Sequence, residues 1–128
     1  MRYVIGLGSN CEPRETHLIN ALNSLATLAD SIYSSTHYES PALGASGKPH
    51  YLNAVAEIES SLPIYLLNAR LKEIETAEGR DEEARAEGRV PLDADIVIAG
   101  NEIIRPKDFK QFFFRRGYEE LRSDFEKV

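Results

Sequence analysis

Residues 92–98, Leu-Asp-Ala-Asp-Ile-Val-Ile, constrain this chain more than any other stretch. Leu92, Ala94, Ile96 and Ile98 alternate with Asp93, Asp95 and Val97, the period-2 pattern of a strand with one buried face. The two aspartates therefore leave the same face, two rises or roughly 7 Å apart. Carboxylates so placed are either solvated surface or ligands for hard cations that in turn hold a polyphosphate. What the fold sets beside that face decides between the two.

The remaining periodicities supply the fold. Tyr3 to Leu7 reads as a buried strand ending at Gly6-Leu7-Gly8-Ser9-Asn10, whose glycines suit a tight turn or close approach to a ligand. Pro13 opens a helix predicted over about 13–29, with Leu18, Leu22, Leu25 and Ala29 at helical spacing. Residues 31–39 read as a second strand, and 51–59 as a third. In the third, Leu52, Ala54, Ala56 and Ile58 form the apolar face, opposite Tyr51, Asn53 and Val55. Residues 40–50, with two prolines and two glycines, form a loop between them. Pro63 opens a second helix with Ile64, Leu67, Leu71 and Ile74 on one face, and Gly79 ends it. Residues 80–89 hold no apolar side chain larger than alanine and read as a mobile, solvated loop. After a turn at Gly100-Asn101, Glu102-Ile103-Ile104 adds a short strand. Pro106 starts a third helix carrying Phe109, Phe112 and Phe113, interrupted at Arg115-Arg116-Gly117-Tyr118.

Strand, helix, strand, strand, helix, strand is the order of a ferredoxin-like βαββαβ fold of the α+β class. It predicts one domain over residues 1–128, with helices on one face of an antiparallel sheet and a C-terminal helical extension. Tyr51, Asn53, Asp93 and Asp95 then share the uncovered face, which is too polar for a second core. A formal net charge of -6 argues against indiscriminate nucleic-acid binding, so an anionic nucleotide would need magnesium or a local arginine cluster. The single cysteine, Cys11, excludes a disulfide framework and fits a reducing cytoplasm. The first residues enter a strand pattern without a signal peptide, and no apolar run approaches the ~20 residues of a membrane span.

Five segments occur in one order: Gly6-Leu7-Gly8-Ser9-Asn10, Tyr38 to Gly44, Tyr51-Leu52-Asn53-Ala54-Val55, Gly79-Arg80, and Leu92-Asp93-Ala94-Asp95-Ile96. Together they resemble the 6-hydroxymethyl-7,8-dihydropterin pyrophosphokinase family, folate-biosynthesis enzymes that transfer the terminal two phosphates of ATP to a pterin alcohol and release AMP. The resemblance implies that Asp93 and Asp95 ligate two magnesium ions and that Arg80 and Arg89 serve catalysis at the phosphates. It assigns the pterin to Leu43, Gly44, Tyr51, Asn53 and Tyr118, and the nucleotide to Glu75, Arg80, Arg85 and Arg116. Asn53 would both donate to and accept from the pterin edge. Where the family has an arginine before the metal strand, this chain has Val90, with Arg89 adjacent. The partners implied are small molecules, with no nucleic acid or membrane, on a monomer or weak dimer. The alternative is a non-catalytic member of the fold that binds a pterin or nucleotide.

Overall fold

A computed structural model describes residues 1–41 and 50–126. In chain order its elements are β1 (Arg2–Ser9), α1 (Arg14–Ala26), β2 (Ser31–Ser34), β3 (Tyr38–Ser40), β4 (Tyr51–Glu59), α2 (Ile64–Ala77), α3 (Glu82–Ala86), β5 (Asp93–Ala99), β6 (Glu102–Ile103), α4 (Pro106–Phe109) and α5 (Phe112–Glu126). The sheet runs β2-β4-β1-β5-β6, with β3 also pairing β4, and all its pairs are antiparallel. This is the α+β, ferredoxin-like arrangement predicted from element order.

Alternation along the central strands builds two cores. Tyr3, Ile5 and Leu7 of β1 join Ala54, Ala56 and Ile58 of β4 and Ala94 and Ile96 of β5 against α1 and α2. Leu18, Ala21 and Leu25 of α1 and Leu67 and Leu71 of α2 supply the helical half. Burying a leucine of this kind contributes about 1.5–3 kcal/mol, far more than local propensity does, so packing holds these helices. α1 is shorter than predicted: Thr27 donates its backbone N–H and its Oγ1 to Ser24 O, closing the last turn, while Leu28 and Ala29 still pack on the core.

The opposite face carries a second core, contrary to the expectation that it is too polar for one. Val4, Val55, Val97 and Ile98 bury Phe114 and Leu121 of α5 there, so the C-terminal extension lies across half of the open face. The predicted break at residues 115–118 is absent. The chain breaks earlier, between α4 and α5, and Gly117 sits inside α5 because any side chain there would meet β4. A Cβ on Gly117 would lie 2.6 Å from Val55 Cγ2 and 2.9 Å from the Tyr38 hydroxyl. That hydroxyl donates to Phe113 O at 2.6 Å and accepts from Gly117 N–H at 3.1 Å, bracing α5 against β3. Of the three consecutive phenylalanines, Phe114 is 1% exposed and Phe112 is 56% exposed.

Three further departures have local causes. The strand predicted over 31–39 splits, because Ser35 bonds Val55 with its backbone N–H and accepts the Val55 N–H on its Oγ, both at 2.9 Å. A side chain thus stands in for the backbone ladder between β2 and β3. Residues 80–89 are largely exposed, as expected, but are not a loop throughout: Asp81 caps α3 by accepting from Ala84 N–H at 2.8 Å, and Ala84 is fully buried. In β5 the register shifts, since Ile5 pairs Ile96 whereas Val4 pairs Ile98. Val97 is the extra residue of a β-bulge, so Ile98 turns to the α5 face instead of the helical face expected for it.

Candidate active site

The site begins with two missing side chains. Gly8 pairs with Asn53 on one side and Asp93 on the other, and Gly6 pairs with Val55 and Asp95. Both glycines lie inside β1, which runs on through Ser9, so the predicted turn does not form there. Their function is to carry nothing on the α5 face. A methyl group on Gly8 would stand 3.3 Å from Tyr51 Cδ2 and 3.4 Å from Asn53 Oδ1. The result is a trough two interstrand spacings wide, roughly 10 Å, between an amide and a carboxylate. It forms the floor of a cavity of about 370 Å³, with Tyr51, Asn53, Asp93 and Asp95 at its sides and Phe113 and Phe114 of α5 above.

The acidic wall is organised from behind by α2. Glu75 is 4% exposed, and its Oε2 accepts from Ala94 N–H on the free edge of β5 at 2.8 Å. The carboxylate also meets Lys72 Nζ at 3.2 Å and Arg80 Nη1 at 3.1 Å. Glu75 therefore secures a strand edge and two cations, and does not line the cavity. Arg80 reaches this position because Gly79, at φ +104°, ends α2 in a Schellman turn. Gly79 N–H donates to Thr76 O and Arg80 N–H donates to Glu75 O, at 3.0 and 3.1 Å. From there Arg80 Nη1 also reaches Asp93 Oδ1 at 3.0 Å, while its Nε is buried without a partner among the described residues. Lys72 lies 3.5 Å from Asp95 Oδ1, and Arg105 lies 3.9 Å from the same oxygen.

Pairing with these cations does not offset the burial of Asp93. The Asp93 carboxyl is pushed up to about 6 by loss of hydration and then by the neighbouring Asp95, against the pull of Arg80. Although 44% of the Asp93 side chain faces open space, the walls around it remove much of its water. No group of three or more His, Cys, Asp or Glu side chains able to hold a metal exists among the described residues. The donor set is thus two hard carboxylates open to a cavity, with room for water and ligand oxygens. That set fits magnesium, which binds through one or two carboxylates and takes its other ligands from water and phosphate.

Opposite the acids, Asn53 is 3% exposed and held in one orientation. Its Nδ2 donates to Ser40 Oγ at 2.8 Å and to Tyr38 O at 3.1 Å. Both amide protons are thereby engaged, so the side chain offers the cavity its Oδ1 alone and can only accept, where both functions were expected. Tyr51 lines the cavity beside it.

Several expected residues lie elsewhere. Tyr118 stacks on Phe114, with centroids 5.4 Å apart, in the second core, and Phe113 and Phe114 take the cavity wall instead. The Arg116 guanidinium lies 5.2 Å from the centroid of the Tyr38 ring. Asn10 secures the chain beside Arg89, donating from its backbone N–H to Val90 O at 2.9 Å and accepting from Val90 N–H on Oδ1 at 2.6 Å. Gly88 and Val90 consequently line the cavity, whereas Arg89 between them bonds Glu87 Oε2 at 2.7 Å. Arg85, in the last turn of α3, is not among the cavity residues. Leu43 and Gly44 lie outside the described residues. His17 and His37 pair with Glu78 and Glu15. Lys72, Asn10, Arg105, Phe113 and Phe114 are among the site residues that sequence reading missed. Asp95 and Arg105 also line an adjoining groove of about 320 Å³ with Ile64, Asn68, Ile96 and Ile104.

A family described as 7,8-dihydro-6-hydroxymethylpterin-pyrophosphokinase matches residues 4–122. The chain belongs to that family. A Haemophilus influenzae protein named 2-amino-4-hydroxy-6-hydroxymethyldihydropteridine pyrophosphokinase is 40% identical over 104 residues, covering 79% of this chain and 64% of the relative. An Aquifex aeolicus protein of the same name is 33% identical, over 83% of this chain and 66% of the relative. The chain thus spans just under two thirds of these pyrophosphokinases. A Pseudomonas putida pyrophosphokinase is 33% identical and is covered over 87% of its length. No helix among the described residues is long and apolar enough to cross a membrane.

Proposed function

We propose that this chain transfers pyrophosphate from ATP to 6-hydroxymethyl-7,8-dihydropterin, releasing AMP, with magnesium held at Asp93 and Asp95. The observation that carries this reading is the row Asn53, Gly8, Asp93 across three strands, an acceptor and a carboxylate facing each other over a floor with no side chain. A flat heterocycle fits that trough, its N–H edge on Asn53 Oδ1 and its face against Tyr51, with its alcohol directed at the acidic wall. Asp95 and Arg105 line both the cavity and the adjoining groove, which supports phosphates at that junction and a nucleotide base against Ile96 and Ile104. Magnesium there would neutralise the polyphosphate and polarise the phosphorus under attack. Arg80 fixes the Asp93 carboxylate, and Phe113 and Phe114 exclude water above the trough. No histidine lines the cavity among the described residues, so the reaction rests on positioning and charge, as phosphoryl transfer permits.

The test is AMP release from magnesium-ATP with and without the pterin. AMP that appears only with the pterin and is lost in Asp95→Asn is the expected result. AMP formed equally without the pterin sinks the reading. A second reading, a member that binds without turnover, is favoured by Arg89, which is paired with Glu87 away from the cavity. It predicts a pterin-dependent rise in melting temperature with no AMP at all.

A further inference from the structure

We infer that Arg105 is the side chain that grips the polyphosphate of the nucleotide, where the family resemblance points to Arg89. This rests on the pyrophosphokinase reading above and names a residue within it. Arg105 is the one Lys or Arg lining the cavity among the described residues, and it also lines the adjoining groove. It therefore stands where a ligand spanning the two must pass.

The fold holds it there by a chain of local causes. The bulge at Val97 frees that residue's carbonyl from the β1 ladder. Ile104 N–H donates to Val97 O at 2.7 Å and Arg105 N–H donates to it at 3.3 Å. The backbone of Arg105 is thereby fixed beside β5, two positions along from Asp95. Its side chain is oriented by Asp108, whose Oδ2 accepts from Nε at 2.6 Å. The terminal nitrogens are left pointing along the acidic wall, with Nη1 3.9 Å from Asp95 Oδ1, beyond normal hydrogen-bond length. About half of the side chain is exposed.

The cations beside the acids, and Arg89, are committed. Arg80 Nη1 is shared between Glu75 and Asp93, Lys72 is held by Glu75, and Arg89 is held by Glu87. Among the described residues near the acids, Arg105 alone combines a fixed stem, a guanidinium fork oriented by Asp108 and a weak counter-ion that a phosphate can displace. Two parallel N–H donors of such a fork match two oxygens of one phosphate, which a lysine cannot reproduce. Asp108 acts here as a positioning residue.

The experiment is titration of the intact chain with magnesium and α,β-methylene-ATP, an analogue that cannot be cleaved at the reacting bond, followed by calorimetry. Arg105→Met should weaken analogue binding by ~10- to 100-fold, the range for losing a hydrogen bond to a charged group. Arg105→Lys should recover only part of that loss. Pterin affinity and the melting temperature without ligand should stay at the parent values in both variants. Parent-like analogue binding by Arg105→Met and by a second variant, Arg105→Gln, would overturn the assignment. So would a larger loss in Arg89→Met than in Arg105→Met. Failure of the parent chain to bind the analogue would overturn the pyrophosphokinase reading, and this inference with it.

Discussion

Replacing Gly117 by alanine turns the docking of α5 into a question of sign. In a solvent-exposed helix the change stabilises by about 1 kcal/mol, because alanine loses less backbone freedom on folding. Here the new methyl would lie 2.6 and 2.9 Å from two carbons of Val55, and 2.9 Å from the Tyr38 hydroxyl. Carbon contacts need about 3.5–4 Å, so α5 must retreat by roughly 1 Å. Val55 cannot yield, since it is fully buried in a central strand and its Cβ moves only with the backbone. Overpacking of this kind costs about 1–3 kcal/mol. The retreat also strains the hydrogen bonds from Tyr38 to Phe113 and from Gly117 to Tyr38, each worth about 1 kcal/mol. Set against the propensity gain, the net loss is about 2 kcal/mol, or about 6–8 °C in Tm for a chain of this size. Urea denaturation followed by far-ultraviolet circular dichroism measures it. In a Val55→Ala background, which removes the 2.6 Å contact but keeps the Cβ and the Tyr38 hydroxyl at 2.9 Å, the loss from Gly117→Ala should shrink by ~1 kcal/mol without vanishing. A stabilised single variant, or the same loss in both backgrounds, would refute the packing of α5 on β4.

Two further outcomes follow from the same face of the sheet. Gly8→Val puts branched carbons on the cavity floor, where even a methyl meets Tyr51 and Asn53; pterin affinity should fall by ~10-fold or more while urea unfolding remains cooperative. Unchanged pterin binding, read by calorimetry, would remove the trough from the site. Burial pushes the Tyr38 hydroxyl up to about 12, whereas in the unfolded chain it ionises near ~10. The folded chain keeps a proton that the unfolded chain has lost, so this contribution is complete below pH ~10 and declines as the pH rises toward ~12. Urea midpoints measured from pH 8 to 11 should fall more steeply in the parent chain than in Tyr38→Phe, and equal slopes would contradict the assignment.

What could be read from the sequence was whatever declares itself within a few residues. β4 was legible because Leu52, Ala54, Ala56 and Ile58 alternate without a fault, and α2 because Gly79 marks its end. Asp93 and Asp95 were legible because parity holds as far as Val97. Beyond it, Val97 and Ile98 are both apolar, so the bulge that brings Ile98 to the same face as Val97 leaves no trace in hydropathy. The split at Ser35 was hidden for a similar reason: serine and threonine look like strand residues, and only the distant Val55 shows the side-chain bond. Gly117 misled, since a glycine after two arginines signals an ending unless one knows that β4 lies against it. Arg105 escaped because its importance is spatial, conferred by Asp95, Val97 and Asp108 through the bulge.

The position of β1 at the centre of the sheet has a consequence for how the molecule opens. Tyr3 pairs with Ile58 on one side and Ala99 on the other, so residues 2–9 have both edges satisfied only when two remote segments have arrived. Closing such long loops is slow, and it commits both ends of the sheet to a single cooperative step. Gly6 and Gly8, which alone would be the loosest backbone in the chain, are thereby pinned between β4 and β5. Their amide protons should be among the last to exchange with solvent, so the barest part of the cavity is also the part least able to breathe.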